Sequence, residues 1–226
     1  MKQAGILLFF VLIAYGASAQ TETRELAKFT GVRVGEAIDL YLKKGDKESA
    51  KIEVEGVSLS DVATDVTGSY LRVHMRQGNH SGRRVVRVYV TYVTLEKINA
   101  SSASSVFSEG TIKSSRLDIT AASAADVELQ IDAETVSVDV ASAGDIRLEG
   151  KARNCSIEAS SAGSVDAYNL ECENVEARAA SAGTAKVNVT KTLNAEASSG
   201  GSIRYRGNPG NTNTDSSSGG SVKKSS

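Results

Sequence analysis

The 226-residue sequence has no Trp, one Pro, two Cys, two His and only 5% aromatic residues. Each scarcity excludes something. Two His and two Cys leave too few ligands for a zinc centre, so no metal and no cofactor is expected. With 26 basic and 27 acidic side chains the formal charge is −1, which gives no electrostatic reason to expect a nucleic-acid partner. No run approaches the ~20 apolar residues that carry a helix across a bilayer. Beyond the first twenty residues, apolar positions do not recur at a helical period, which excludes an α-helical architecture. What remains is a chain with 20 Gly and 40% hydrophobic residues, enough to bury a core and too much for a wholly disordered protein. Its length fits one domain, or at most two small ones.

The longest apolar run, ILLFFVLIA at 6–14, follows Lys2 and precedes Tyr15-Gly16-Ala17-Ser18-Ala19. A basic start, a short apolar stretch and a small-x-small site predict a signal peptide at 1–19, cut after Ala19. No Cys follows the run to carry a lipid anchor, and the mature chain holds no second hydrophobic span. The compartments open to such a chain are the periplasm, the outer-membrane surface and the exterior. Residues 20–28 read as an N-terminal linker.

Internal periodicity is the dominant signal from there on. The heptads at 100–106 (ASSASSV), 121–127 (AASAADV), 140–146 (VASAGDI), 159–165 (ASSAGSV), 179–185 (AASAGTA), 197–203 (ASSGGSI) and 216–222 (SSSGGSV) are variants of one segment. Their third residues form the column Ser102, Ser123, Ser142, Ser161, Ser181, Ser199 and Ser218. The positions four before and four after the serine are mostly apolar, and the approach to it alternates apolar and polar, as in a strand with one buried face. Short strands repeated about every twenty residues and stacked in register predict an all-β fold, a β-solenoid of the parallel β-helix type. A sandwich of hairpins would want Asn-Gly or Asp-Gly turns, and the repeats contain none. The serines are expected to be structural, small hydroxyls at inward or corner positions that hydrogen-bond along the ladder. They are not expected to be nucleophiles, because neither His lies in the repeats.

Five residues after each serine stand Phe107, Glu128, Arg147, Asp166, Lys186, Arg204 and Lys223. From Glu128 to Lys186 the sign alternates, so in-register stacking sets opposite charges side by side. Cys155 and Cys172 fall three positions apart on successive turns rather than stacked, so two small buried side chains are expected there in preference to a disulfide. The four Asn-x-Ser/Thr sequences, at Asn79, Asn99, Asn154 and Asn188, read as incidental in a Ser/Thr-rich chain.

Between residues 29 and 96 the serine motif is missing but strand alternation persists, as in Ile38-Asp39-Leu40-Tyr41-Leu42 and Val86-Arg87-Val88-Tyr89-Val90. This region reads as a less regular β cap or first coils, since solenoid ends need covering. It contains one basic cluster, Arg76, Arg83, Arg84 and Arg87 with His74 and His80, which is the candidate anion-binding set. Residues 208–226 are low-complexity and read as a frayed last coil or a tail.

The motif Phe29-x-Gly31-Val32-x-Val34, then Ile38-x-Leu40-x-Leu42, Leu71-x-Val73 and the Ser-Ala-Gly-x-Val coils resembles the putative auto-transporter adhesin head GIN domain found in exported proteins of Bacteroidetes-type bacteria. The resemblance covers residues 29–207. It implies a β-helix-like fold and supplies no catalytic residues. The chain is too short to include an auto-transporter β-barrel as well, so surface display would rely on another exporter or partner. Three functions follow as expectations. The first is a non-enzymatic, exported solenoid that binds glycan or other envelope or surface material. The second is a structural scaffold that self-associates, as a homo-oligomer, through its ends. The third is a polysaccharide-active enzyme using Asp126 and Asp145 with Arg147 near by.

Overall fold

The structure, a computed structural model, describes residues 20–78 and 84–225. The expected signal peptide lies outside the described residues, as do Asn79, His80 and Arg83.

The chain is a β-solenoid whose described residues form strands alone, apart from one 3-10 turn at Leu59–Asp61. The first strands are β1 (Gln20–Glu25), β2 (Gly31–Val34), β3 (Asp39–Lys44), β4 (Ser49–Glu55), β5 (Val62–Thr67), β6 (Tyr70–Met75) and β7 (Val85–Tyr92). They are followed by β8 (Lys97–Ala100), β9 (Ser105–Glu109), β10 (Ile112–Ala121), β11 (Asp126–Val140), β12 (Asp145–Ala159), β13 (Ser164–Ala179) and β14 (Thr184–Ala197). The last are β15 (Ser202–Arg206), β16 (Asn211–Ser216) and β17 (Ser221–Lys224). From β8 onward each coil pairs in parallel with the next.

Two corners close each coil, and different chemistry makes each. At the first corner sits the serine column. All seven serines adopt φ between 48° and 54°, and the residue that follows each also has positive φ. In the Ser160–Gly163 turn, Gly163 N–H donates to Ser160 C=O at 2.8 Å around two left-handed central residues. That is the geometry usually given to Asn-Gly, carried here by Ser-Ala and used to cross between sheets instead of closing a hairpin. The serines are exposed, and the ladder at this corner is main-chain. Ala124 N–H donates to Ser142 C=O at 3.1 Å, Ala143 to Ser161 at 3.2 Å and Ala162 to Ser181 at 3.1 Å. The expected hydroxyl ladder is thus replaced by a carbonyl ladder. These bonds hold non-glycine residues in a conformation that costs roughly 1–2 kcal/mol each. Gly163 follows the turn where the chain passes the coil before it: a Cβ there would stand 2.8 Å from Val140 O.

The second corner lies inside the long strands, where inward positions slip from a spacing of two to three. Ala133 is followed inward by Val136, Ala152 by Cys155 and Cys172 by Val175, with two outward residues between each pair. This corner joins the cysteines. Cys172 is the register partner of Ala152, three residues from Cys155, as the repeat implied. Because the chain turns between Ala152 and Cys155, both side chains point inward across the bend. Their Cα atoms come within 6.3 Å and the disulfide forms, which corrects the expectation of free thiols.

The core is a set of vertical columns. Four residues past the first corner stand Leu40, Val106, Val127, Ile146, Val165, Ala185 and Ile203, with Val88 in register beside Leu40, each at most 1% exposed. The columns thin toward the C-terminus, and β16 (NTNTDS) is exposed throughout. Residues 211–224 nevertheless form a coil in register with the one before it.

Spatial order departs from chain order at the other end. The coil β2–β3 lies between β6–β7 on one side and β8–β9 on the other. After β3 the chain leaves the stack and builds the cap from β4 and β5, antiparallel to β7 and β6 respectively. It then returns beneath its own first coil. The segment expected to be a linker contributes β1, which covers the edge of β4 over six antiparallel pairs. It has no apolar alternation because it is an outer strand, held by main-chain bonds, by Lys47, which donates to Glu25 at 2.6 Å, and by one part-buried side chain of its own. That side chain is Arg24, whose guanidinium donates to Val62 O at 2.7 Å and Leu59 O at 3.0 Å, linking β1 to β5.

Candidate functional site

The strands that follow the first corner form one broad sheet face. Residues three, five and seven places past the corner point outward from it, and each position makes a column along the solenoid axis. The five-place column begins earlier than the serine motif reveals. Glu36 and Ala37 adopt the same left-handed turn as Ser102 and Ala103, so Tyr41 belongs to this column, in register with Tyr89 and Phe107. The three rings stack: Tyr41 lies 4.9 Å from Tyr89 and 5.2 Å from Phe107, at interplanar angles of 17° and 23°. Lys51 Nζ sits 5.5 Å over the far side of Tyr89. The Tyr89 hydroxyl donates to Glu53 at 3.4 Å. Burial, aided by the Glu53 charge, raises the Tyr89 pKa.

Past Phe107 the column becomes ionic. Glu128, Arg147, Asp166 and Lys186 are successive register partners, as the spacing predicts. Arg147 reaches Asp126 at 3.2 Å and Asp145 at 3.0 Å with its two terminal nitrogens. Lys186 meets Asp166 at 2.9 Å. Burial alone would raise the Asp166 pKa, but the Lys186 ammonium and the Tyr168 amide outweigh it and hold the carboxyl below its ordinary range. Between ring and ions opens a cleft of about 310 Å³, lined by Phe107, Glu128, Gln130, Arg147, Glu149 and Asn169. The stacked rings mostly cover one another's faces, so the edge of the ladder and the free side of Phe107 are what this face offers.

Of the basic cluster named from the sequence, His80 and Arg83 lie outside the described residues, and the other members each meet their own partner. Arg76 lies beyond β6 and donates to Ser60 O at 3.1 Å. Arg84 reaches Glu36 O at 3.4 Å, and Arg87 lies 4.0 Å from Glu55. His74 sits 3.5 Å from Asp65. The candidate carboxylates Asp126 and Asp145 are register neighbours as expected, but both are held by the single Arg147 guanidinium. Among the described residues no cluster of His, Cys, Asp or Glu is arranged to hold a metal ion.

Sequence reasoning missed the aromatic ladder. Its signal was present: Tyr41 stands five residues after Glu36, as Phe107 does after Ser102, but the turn at Glu36 has no serine to mark it.

Comparison with known proteins agrees on the family and the fold. A family model described as putative auto-transporter adhesin, head GIN domain matches residues 28–209. A putative adhesin from Bacteroides fragilis superposes with a TM-score of 0.83 at 21% identity, covering 93% of this chain and 98% of that one. A putative adhesin from Parabacteroides merdae gives 0.72 at 18% identity, covering 92% and 96%. A putative lipid binding protein from Parabacteroides distasonis gives 0.71 at 20% identity, covering 92% and 97%. Among curated proteins none matches the sequence. No helix among the described residues is long and apolar enough to cross a membrane.

Proposed function

The chain belongs to the family of putative auto-transporter adhesins with the head GIN domain, and on that premise we propose that it is an exported, non-enzymatic protein that binds surface material through its aromatic and charged sheet face. The observation that carries this reading is the continuous outward column from Tyr89 through Tyr41 and Phe107 into Glu128, Arg147, Asp166 and Lys186. A rigid solenoid presents such a column at fixed spacing, and a fixed array binds an extended partner with little ordering cost. We read the role as binding without chemistry: the two carboxylates that face one another, Asp126 and Asp145, are both ion-paired to the single Arg147 guanidinium. The signal-peptide pattern supports delivery beyond the inner membrane.

The test is protease shaving of intact cells with detection of this chain, followed by adherence of the purified mature protein to envelope material, glycans and matrix. Removal by protease together with adherence that Tyr41→Ala and Phe107→Ala weaken supports the reading. A chain protected in intact cells that adheres to none of these surfaces overturns it.

A second reading, a self-associating scaffold, is favoured by one observation. Among the described residues each of β16 and β17 pairs with a single strand, β14 and β15 respectively, which offers edges for strand addition. Sedimentation at several concentrations separates the two readings.

A further inference from the structure

The alternation of sign along the binding face ends at Lys186. Its next two register partners are Arg204 and Lys223, so three cations stand in consecutive coils of one column. Like charges directly opposite one another in a sheet are destabilising. Upstream the same column avoids the arrangement by alternating Glu128, Arg147 and Asp166. Here it persists. Arg204 and Lys223 are exposed and make no ion pair among the described residues, while Lys186 holds Asp166. Arg206 and Lys224 stand beside them on the same strands. Arg206 donates to Tyr168 O and lies 5.3 Å from the Tyr168 ring, and Lys224 donates to Asn208 at 2.7 Å.

The charges are segregated across the coil. β15 and β17 contain no acid, whereas β16, on the other sheet, carries Asp215 and no base. A solvated surface that only balanced charge would intermix them. Flanking the cationic column, two residues earlier on each strand, runs a column of hydroxyls: Thr184, Ser202 and Ser221 in register. Cations repeat roughly every 4.8 Å along the axis, beside hydrogen-bonding groups at the same interval.

We infer that this C-terminal part of the face binds a linear anionic polysaccharide, its carboxylate or sulfate groups on Lys186, Arg204 and Lys223 and its hydroxyls on Thr184, Ser202 and Ser221. The inference deepens the adhesin reading and rests on it. A single column one residue wide fits a chain lying along the axis. A lipid surface fits less well, because the one large hydrophobic exposed among the described residues is Val93, before β8 at the opposite end.

The experiment measures binding of the purified mature protein to polygalacturonate, to dextran sulfate and to neutral dextran of matched length, with anionic phospholipid vesicles as a separate arm. The variant is Arg204→Ala/Lys223→Ala, and Lys113→Ala/Lys151→Ala is the control of equal charge loss. All four side chains are exposed, and circular dichroism verifies the fold of both variants. The expected result is binding to an anionic polymer but not to neutral dextran, weakened by added salt. The first variant reduces it about tenfold or more while the control changes it little. Binding that survives in Arg204→Ala/Lys223→Ala, binding to vesicles alone, or no binding to either anionic polymer overturns the inference. Adherence to intact surfaces that the variant retains sinks this site and leaves the adhesin reading standing. Loss of adherence in the Tyr41 and Phe107 variants with polyanion binding intact separates the two in the other direction.

Discussion

The carboxylate of Glu36 accepts a hydrogen bond from the main-chain N–H of Met75 at 2.6 Å, tying the left-handed corner of the first coil to the end of β6 in the neighbouring coil. The two residues lie 39 positions apart, and the bond joins layers that the chain order would not place together. Replacing Glu36 by Ala keeps a non-glycine residue at the corner but leaves the amide of the buried Met75 without its acceptor. The expected cost is about 1–3 kcal/mol. Hydrogen exchange is the sharper check: protection should fall first in β6 and β7 and stay unchanged in β12 to β14.

The Cys155–Cys172 bridge spans 17 residues and links successive coils. A loop of that size corresponds to roughly 3 kcal/mol of stabilisation. Denaturant melts with and without a reductant should differ by about that amount, and a Cys155→Ala/Cys172→Ala variant should not respond to reductant at all.

At Ser161, with φ of 48°, substitution tests the corner directly. Ser161→Gly should be neutral or stabilising by up to about 1 kcal/mol, because glycine adopts this conformation freely. Ser161→Val should destabilise by about 1–2 kcal/mol or more. If the hydroxyl itself held the corner, the glycine variant would be the damaging one.

Asp166 titrates below its ordinary value of 3.8 in the folded protein, because the Lys186 ammonium and the Tyr168 amide together outweigh the opposing effect of burial. A carboxyl whose folded pKa is depressed contributes stability that is fully present above its unfolded pKa and is lost as pH falls through the folded one. Its carboxylate is more than a third exposed, so solvent screening keeps the contribution small. Acid unfolding of the parent should therefore show a modest loss below about pH 4, and Asp166→Asn should flatten that part of the profile. An equal slope in both proteins would mean the pair contributes nothing.

How much of this was legible differs from element to element. The columns of Ile146, Val165 and Ile203 and the sign alternation from Glu128 to Lys186 were readable because a solenoid repeats its constraints, and each coil confirms the last. β1 was not readable, since an outer strand such as Gln20–Glu25 buries no face and leaves no apolar alternation. The disulfide was misjudged for a geometric reason. Register counted along a straight strand kept Cys155 and Cys172 apart, while the phase slip at Arg153 and Asn154, visible as two outward residues in a row, bends them together. The Tyr89–Tyr41–Phe107 stack was hidden because chain order and spatial order diverge there. No count along the sequence predicts that β7 lies on the far side of β3.

That divergence has a mechanical consequence. At the C-terminal end each coil is attached only to the one before it, so tension on that end would peel coils singly, each releasing about nineteen residues, or some 65 Å of slack. At the Cys155–Cys172 bridge the step would shorten, because the loop between the two cysteines cannot extend. The first coil, clamped between β6–β7 and β8–β9, cannot be drawn out without breaking ladders on both sides at once. A tethered molecule of this design would yield in small steps from one end while its other end stayed whole, lengthening under load before it let go.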